Sequence, residues 1–149
     1  MILLKTLIIY SSVHHGNTEK VAKMIAETLK CEMLKAETVD MDTLKNYSLI
    51  GFGSGIYAGK FHKSMIKLID AIPNELGKKA FVFSTSGQGK AGYNNSIKSK
   101  LEEKSFTIAG DFACKGFDTF GPFKFIGGLG KGRPNDDDLQ AAKVFAQKL

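Results

Sequence analysis

One pattern constrains this chain more than any other: a short apolar run, a polar loop rich in glycine and serine, and a helical stripe follow one another three times. Leu4 to Tyr10 is apolar and β-branched, too short to cross a membrane and suited to a strand buried on both faces. The loop Tyr10 to Thr18 follows, after which Val21, Ala22, Ile25, Ala26 and Leu29 recur at helical spacing. The second round runs from a strand at Tyr47 to Phe52, through Gly53-Ser54-Gly55 and Ile56 to Lys60. It ends in a helix marked by Phe61, Met65, Ile66, Leu68, Ile69 and Ile72 and stopped at Pro73. The third has a strand at Ala80 to Phe83, a loop from Ser84 to Gly92, and a helix face of Tyr93, Ile97 and Leu101. Strands separated by helices run parallel, because each helix carries the chain back across the sheet.

Cys31 to Ala36 is acceptable as an outer strand and Phe106 to Cys114 as a last one, while Asn135 and the aspartates Asp136 to Asp138 open a final helix ending at Leu149. The expected fold is therefore α/β, a three-layer open sandwich with a five-stranded parallel sheet and helices on both faces. In such a sheet the ligand crevice lies at the C-terminal ends of the strands, where the strand order reverses, so loops 10–18, 53–61 and 84–93 should converge. Gly116 to Pro134, with four phenylalanines and six glycines, is too apolar for a free linker and should pack over part of the domain.

At 149 residues, 43% of them hydrophobic and 24% charged, the chain is read as one domain, 1–149. No signal peptide and no membrane span are read, so a cytoplasmic protein is expected. Cys31 and Cys114 match no metal or redox spacing; buried free thiols and no metal site are expected. The net charge of +6 comes from scattered lysines without an interleaved basic-aromatic stripe, which argues against nucleic acid as a partner.

The first loop has the chemistry of an anion site. The first N–H groups of a helix lack internal partners and sit at the positive end of its dipole. Ser11, Ser12, Asn17 and Thr18 add side-chain donors beside Gly16. Residues 10–18 contain no lysine or arginine, as a triphosphate loop would need, and a single glycine where a dinucleotide fingerprint needs three. A neutral cradle suits a phosphate monoester that stays bound and unreacted. The competing reading is an ordinary turn with an Asn or Thr helix cap.

Gly16-Asn17-Thr18, after a strand ending in Tyr10-Ser11-Ser12, resembles the phosphate loop of the flavodoxin family, and the second and third loops resemble its two flavin-enclosing loops. The resemblance covers essentially the whole chain. It implies the strand order 2-1-3-4-5, FMN rather than FAD as cofactor, and electron transfer without catalytic residues. It places the phosphate against Ser11, Ser12, Val13, His14, His15, Gly16, Asn17 and Thr18. The flavin would lie against Ser54, Gly55, Ile56, Tyr57, Ala58 and Gly59 on one side and Thr85, Ser86, Gly87, Gln88, Gly89 and Tyr93 on the other. Tyr57 would stack on one ring face; Tyr93, or the backbone near Gln88 and Gly89, would cover the second. The chain departs from the family in a phosphate loop one residue longer, in Ala58 where glycine is common, and in Lys60, His62 and Lys90 where acidic residues often surround the flavin.

Two functions follow from this resemblance. The first is an electron carrier passing one or two electrons between redox partner proteins, such as a flavin reductase or ferredoxin-type donors and acceptors. The alternative is a flavodoxin-fold FMN enzyme, protoporphyrinogen oxidase-like or quinone reductase-like, with Phe117 to Phe125 as a substrate lid. A receiver domain of the same strand order would need an acidic cluster after the first strand, and Tyr10-Ser11-Ser12 supplies none.

Overall fold

The computed structural model describes residues 5–12, 16–74, 77–117 and 127–149. The strands are β1 (Thr6–Ser11), β2 (Glu32–Lys35), β3 (Leu49–Tyr57), β4 (Lys60–Phe61), β5 (Lys79–Ser86) and β6 (Thr107–Lys115). The helices are α1 (Asn17–Leu29), α2 (Lys63–Ala71), α3 (Asn95–Glu103) and α4 (Asp136–Gln147). The sheet runs β2-β1-β3-β5-β6, and every pair along this path is parallel. With only those five strands numbered, this is the expected 2-1-3-4-5 order. The sixth strand, β4, pairs antiparallel with the end of β3 and was not anticipated.

Alternation along the central strands divides the core between the two sheet faces. Leu7 and Ile9 of β1 pack with Ile50, Phe52, Ala80 and Val82 under Met65, Leu68 and Ile69 of α2 and Ile97 and Leu101 of α3. Ile8 and Tyr10 pack with Phe81 and Phe83 under Val21, Ala22, Ile25 and Ala26 of α1 and Ala142 and Ala146 of α4. Each fully buried large side chain of this kind contributes about 1.5–3 kcal/mol relative to exposure. No helix among the described residues is long and apolar enough to cross a membrane.

Two expected loop boundaries are corrected. Gly53, Ser54, Gly55, Ile56 and Tyr57 continue β3 rather than leaving it, and Ser84, Thr85 and Ser86 continue β5. The reason lies across the ladder, where Gly51 faces Phe81 and Gly53 faces Phe83. A Cβ at Gly51 would stand 2.2 Å from the Phe81 ring, and one at Gly53 would stand 2.1 Å from the Phe83 ring. These glycines make room for aromatic rings laid over the strand, a use of glycine in a strand interior that local sequence cannot distinguish from a turn.

Helix boundaries follow their caps. α1 ends at left-handed Lys30, whose N–H and that of Cys31 both reach the carbonyl of Ala26. α2 starts where the Nδ1 of His62 accepts from the Ser64 N–H, and it stops before Pro73. Phe61, expected on this helix, lies instead in β4 and is buried. α4 starts in a capping box formed by Asn135 and Asp138.

Candidate functional site

The C-terminal ends of β1, β3 and β5 carry a row of buried hydroxyls. Ser11 pairs in register with Ser54, and Ser54 with Ser84. By alternation all three face the α2 and α3 layer, and they are only 2%, 0% and 1% exposed. Ser11 Oγ lies 2.7 Å from Ser64 Oγ, which lies 2.8 Å from His62 Nδ1. Since Nδ1 already accepts the Ser64 N–H, the ring nitrogen is an acceptor, the Ser64 hydroxyl donates to it, and the Ser11 hydroxyl donates to Ser64. Ser54 Oγ accepts the His62 N–H at 2.9 Å and donates to the carbonyl of Gly55 at 2.6 Å. The start of α2 is thus stitched to the ends of β1 and β3. Ser84 Oγ is buried without a partner among the described residues.

On the other face the first turn of α1 meets β5. Gly16 starts the helix in a left-handed conformation, φ 65°, and supplies no side-chain cap. The Asn or Thr cap of the competing reading is therefore absent. Ser12 Oγ accepts from the Glu19 N–H at 3.2 Å, and Asn17 Nδ2 donates to the carbonyl of Phe117 at 2.8 Å. Thr18 Oγ1 lies 2.8 Å from Thr85 Oγ1, both residues buried. One bond between two hydroxyls uses one of their two protons, so one donor of the pair is left for another acceptor. Val13, His14 and His15 lie outside the described residues, as does most of the suggested substrate lid.

The second segment ends in a two-residue turn, Ala58-Gly59, with φ 53° and 80°. Both central residues are left-handed, the geometry of a type I′ hairpin. Ala58 accepts this conformation although it is not glycine, at a cost on the order of 1 kcal/mol. Tyr57 is half-buried, its ring meets that of His62 edge-on at 5.4 Å, and its hydroxyl would lie 2.7 Å from a Cβ on Gly55. Gly55 is the space into which the tyrosine folds back. Ile56 points into the core, so only its backbone is available to a ligand.

In the third segment the Gly89 N–H donates to Ser86 Oγ at 2.7 Å, and the Tyr93 hydroxyl donates to Gln88 Oε1 at 3.1 Å. Leu129 covers Gly87, where a Cβ would come within 2.8 Å of its side chain. Tyr93 packs against the core beside α2 and α3. Lys60 and Lys90 are exposed.

The thiols are not placed for nucleophilic chemistry. Burial, with Asp138 nearby, pushes Cys114 up to about 12, and burial, with Glu32 nearby, pushes Cys31 up to about 11. Among the described carboxylates, the shifted one is Asp138 of the α4 cap. There the Arg133 guanidinium bonds Asp138 at both oxygens and holds its carboxyl below the usual range.

These residues fit an FMN-like ligand. Among the described residues, a Cβ at Gly16 or at Gly59 would meet nothing within 4 Å. The same strand ends carry the spare proton of the Thr18–Thr85 pair and the half-buried ring of Tyr57. Sequence reading named Ser11 and Ser54 but missed Ser64 and Ser84 as members of the polar cluster. The one local signal for Ser64 was His62-Lys63-Ser64 at a helix start; Ser84 opened the third converging loop but was not counted among the flavin contacts.

The family model described as Flavodoxin domain matches residues 7–117, a span containing all three strand-end segments. An uncharacterized protein of Methanocaldococcus jannaschii is 49% identical over 148 residues, 98% of each chain. Among solved structures, a flavodoxin from the domain Archaea superposes with a TM-score of 0.71 at 22% identity, covering 96% of this chain and 94% of the other. A WrbA-like flavodoxin-type protein from Agrobacterium tumefaciens superposes with a TM-score of 0.71 at 16% identity, covering 97% and 93%. At these identities the structural likeness concerns the fold.

Proposed function

Because the chain belongs to the flavodoxin family, we propose that it binds FMN at the C-terminal edge of its sheet and carries electrons between redox partner proteins. The observation that carries this reading is the meeting of three strand ends through the contacts Ser11–Ser64, Ser54–His62 and Thr18–Thr85. Those contacts hold the turns at Gly16 and Ala58-Gly59 around one edge. When bound, the flavin supplies the redox chemistry. The chain's own residues bind and orient it. The start of α1 would take the phosphate through backbone N–H groups, Ser12 and the spare Thr18–Thr85 proton. Tyr57 would cover one ring face, where stacking adds about 0.5–1.5 kcal/mol beyond area burial. Backbone of residues 85–89 would border the ring edge.

Releasing the cofactor from freshly purified protein and identifying it by mass should yield FMN, one per chain. A colourless protein that FMN does not reconstitute would overturn the reading. A second reading, an FMN oxidoreductase acting on a small molecule, is favoured by one observation. A groove of about 770 Å³ lies between α2 and the segment after β2, lined by Ala36, Met41, Leu68 and Lys67, with His62 and Ser64 also on its wall. Its size is that of ordinary ligand pockets. Rapid FMN reduction by NAD(P)H alone, or turnover of a quinone, would select the enzyme; reduction only through a reductase protein would select the carrier.

A further inference from the structure

We propose that Asn17 is a positioning residue that ties the phosphate end of the site to its flavin end, by latching the first turn of α1 onto the end of β6. The amide of Asn17 donates to the Phe117 carbonyl at 2.8 Å, across 100 residues of chain. Beneath it lies Gly116, where a Cβ would stand 2.7 Å from Nδ2 and 2.8 Å from Cβ and Cγ of Asn17. The asparagine therefore lies flat against a position that accepts no side chain.

Gly116 and Phe117 are in turn a junction. The Gly116 N–H donates to Ser86 O at 2.9 Å, continuing the β5–β6 ladder into the third segment, and the Phe117 N–H donates to Arg133 O at 2.8 Å. A Cβ at Gly130 would lie 2.7 Å from Gly116 O, and Leu129 covers Gly87. One hydrogen bond from Asn17 thus lands where β6, residues 129–133 and residues 86–89 meet. One of the two amide protons is committed there, and that bond fixes the plane of the side chain. The neighbouring residue makes the buried Thr18–Thr85 bond, so two successive residues of α1 reach the ends of β6 and β5.

This inference rests on the proposed FMN site only in its flavin arm; the test has a second arm that does not. Asn17→Ala and the milder Asn17→Ser are compared with the parent chain without flavin by amide hydrogen exchange. The Phe117 and Arg133 amides should exchange about fivefold faster, as loss of one net hydrogen bond implies. The core amides of Ile8 and Phe52 report the global fold and should speed by no more than the same factor, since the lost bond lowers global stability by at most its own worth. In titrations with FMN and with riboflavin, the variants should weaken both, FMN at least as much as riboflavin, because the latch orients the ring segment that both use as well as the phosphate turn that only FMN uses. Loss of FMN affinity alone, with exchange at Phe117 and Arg133 unchanged, would overturn the proposal and make Asn17 a phosphate ligand. Unchanged exchange with unchanged binding of both flavins would overturn it too. If the parent binds neither flavin, the FMN reading fails, and the exchange arm still decides the latch.

Discussion

Two rows of side chains cross the same three strands on the same sheet face, one step of the pleat apart. Ile9, Phe52 and Val82 form the inner row and are 0% exposed; Ser11, Ser54 and Ser84 form the outer row and are at most 2% exposed. Burial does not distinguish them. The demands they make on their surroundings do. An apolar side chain is satisfied by any close-packed neighbour that excludes water, whereas a buried hydroxyl needs a partner in a particular direction. The inner row finds its neighbours in the general core, including Phe106 edge-on to Phe52 at 5.8 Å. The outer row depends on one helix start, where His62 and Ser64 serve Ser54 and Ser11. Polar burial at the rim gives the sheet a polar edge without opening the core.

Breaking the inner row should have the largest effect. Phe52→Ala removes a wholly buried ring and should destabilise by about 3–5 kcal/mol in urea denaturation. A cost below that of any outer-row variant would mean that the inner row is not the better packed of the two. Ser54→Ala is the sharper cut at the rim. It leaves the half-buried His62 N–H without its acceptor and should cost about 1 kcal/mol, with faster exchange of that amide as its signature.

The helix starts repeat the contrast. α4 is closed by Asn135, Asp138 and Arg133, whereas α1 opens at Gly16, which brings no side chain, and has only the Ser12 hydroxyl on the Glu19 N–H. Asn135→Ala should cost about 1 kcal/mol, as other lost caps do. The closed start should also be acid-sensitive. Because Arg133 lowers the carboxyl of Asp138 in the folded chain, the stabilisation is fully present above the ordinary carboxylate range and is lost as pH falls through the lowered value. Asp138→Asn should remove that part of the acid dependence in a stability-against-pH series, and an unchanged acid limb would refute the assignment.

The smallest effect is expected at Ser84. Its hydroxyl has no partner among the described residues, so Ser84→Ala should leave the midpoint of unfolding unchanged or slightly raised. A loss above about 1 kcal/mol would show that the hydroxyl is satisfied, for instance by an ordered water, and that the outer row is uniform.

Much of the architecture was legible because periodicity is a local property. Val21, Ala22, Ile25 and Ala26 are the buried stripe of α1 as their spacing predicted, and the stop at Pro73 and the acidic start at Asp136 both hold. The glycines at 51 and 53 were harder, since their role is written on β5, thirty residues away, in the rings of Phe81 and Phe83. The hairpin Tyr57 to Lys60 was missed for a related reason, as a non-glycine residue, Ala58, occupies its first left-handed position.

By itself, then, the sequence determined the alternation of strands and helices, the parallel sheet, and the edge at which polar loops gather. Those follow from side-chain spacing within a dozen residues. Only the tertiary structure decided which polar groups meet. Ser11 finds Ser64 at a separation of 53 residues, Thr18 finds Thr85 at 67, and Asn17 finds Phe117 at 100. A hydrogen bond requires its two atoms within about 3 Å and correctly aimed, and that precision comes from strand register and helix docking, which no stretch of chain specifies alone.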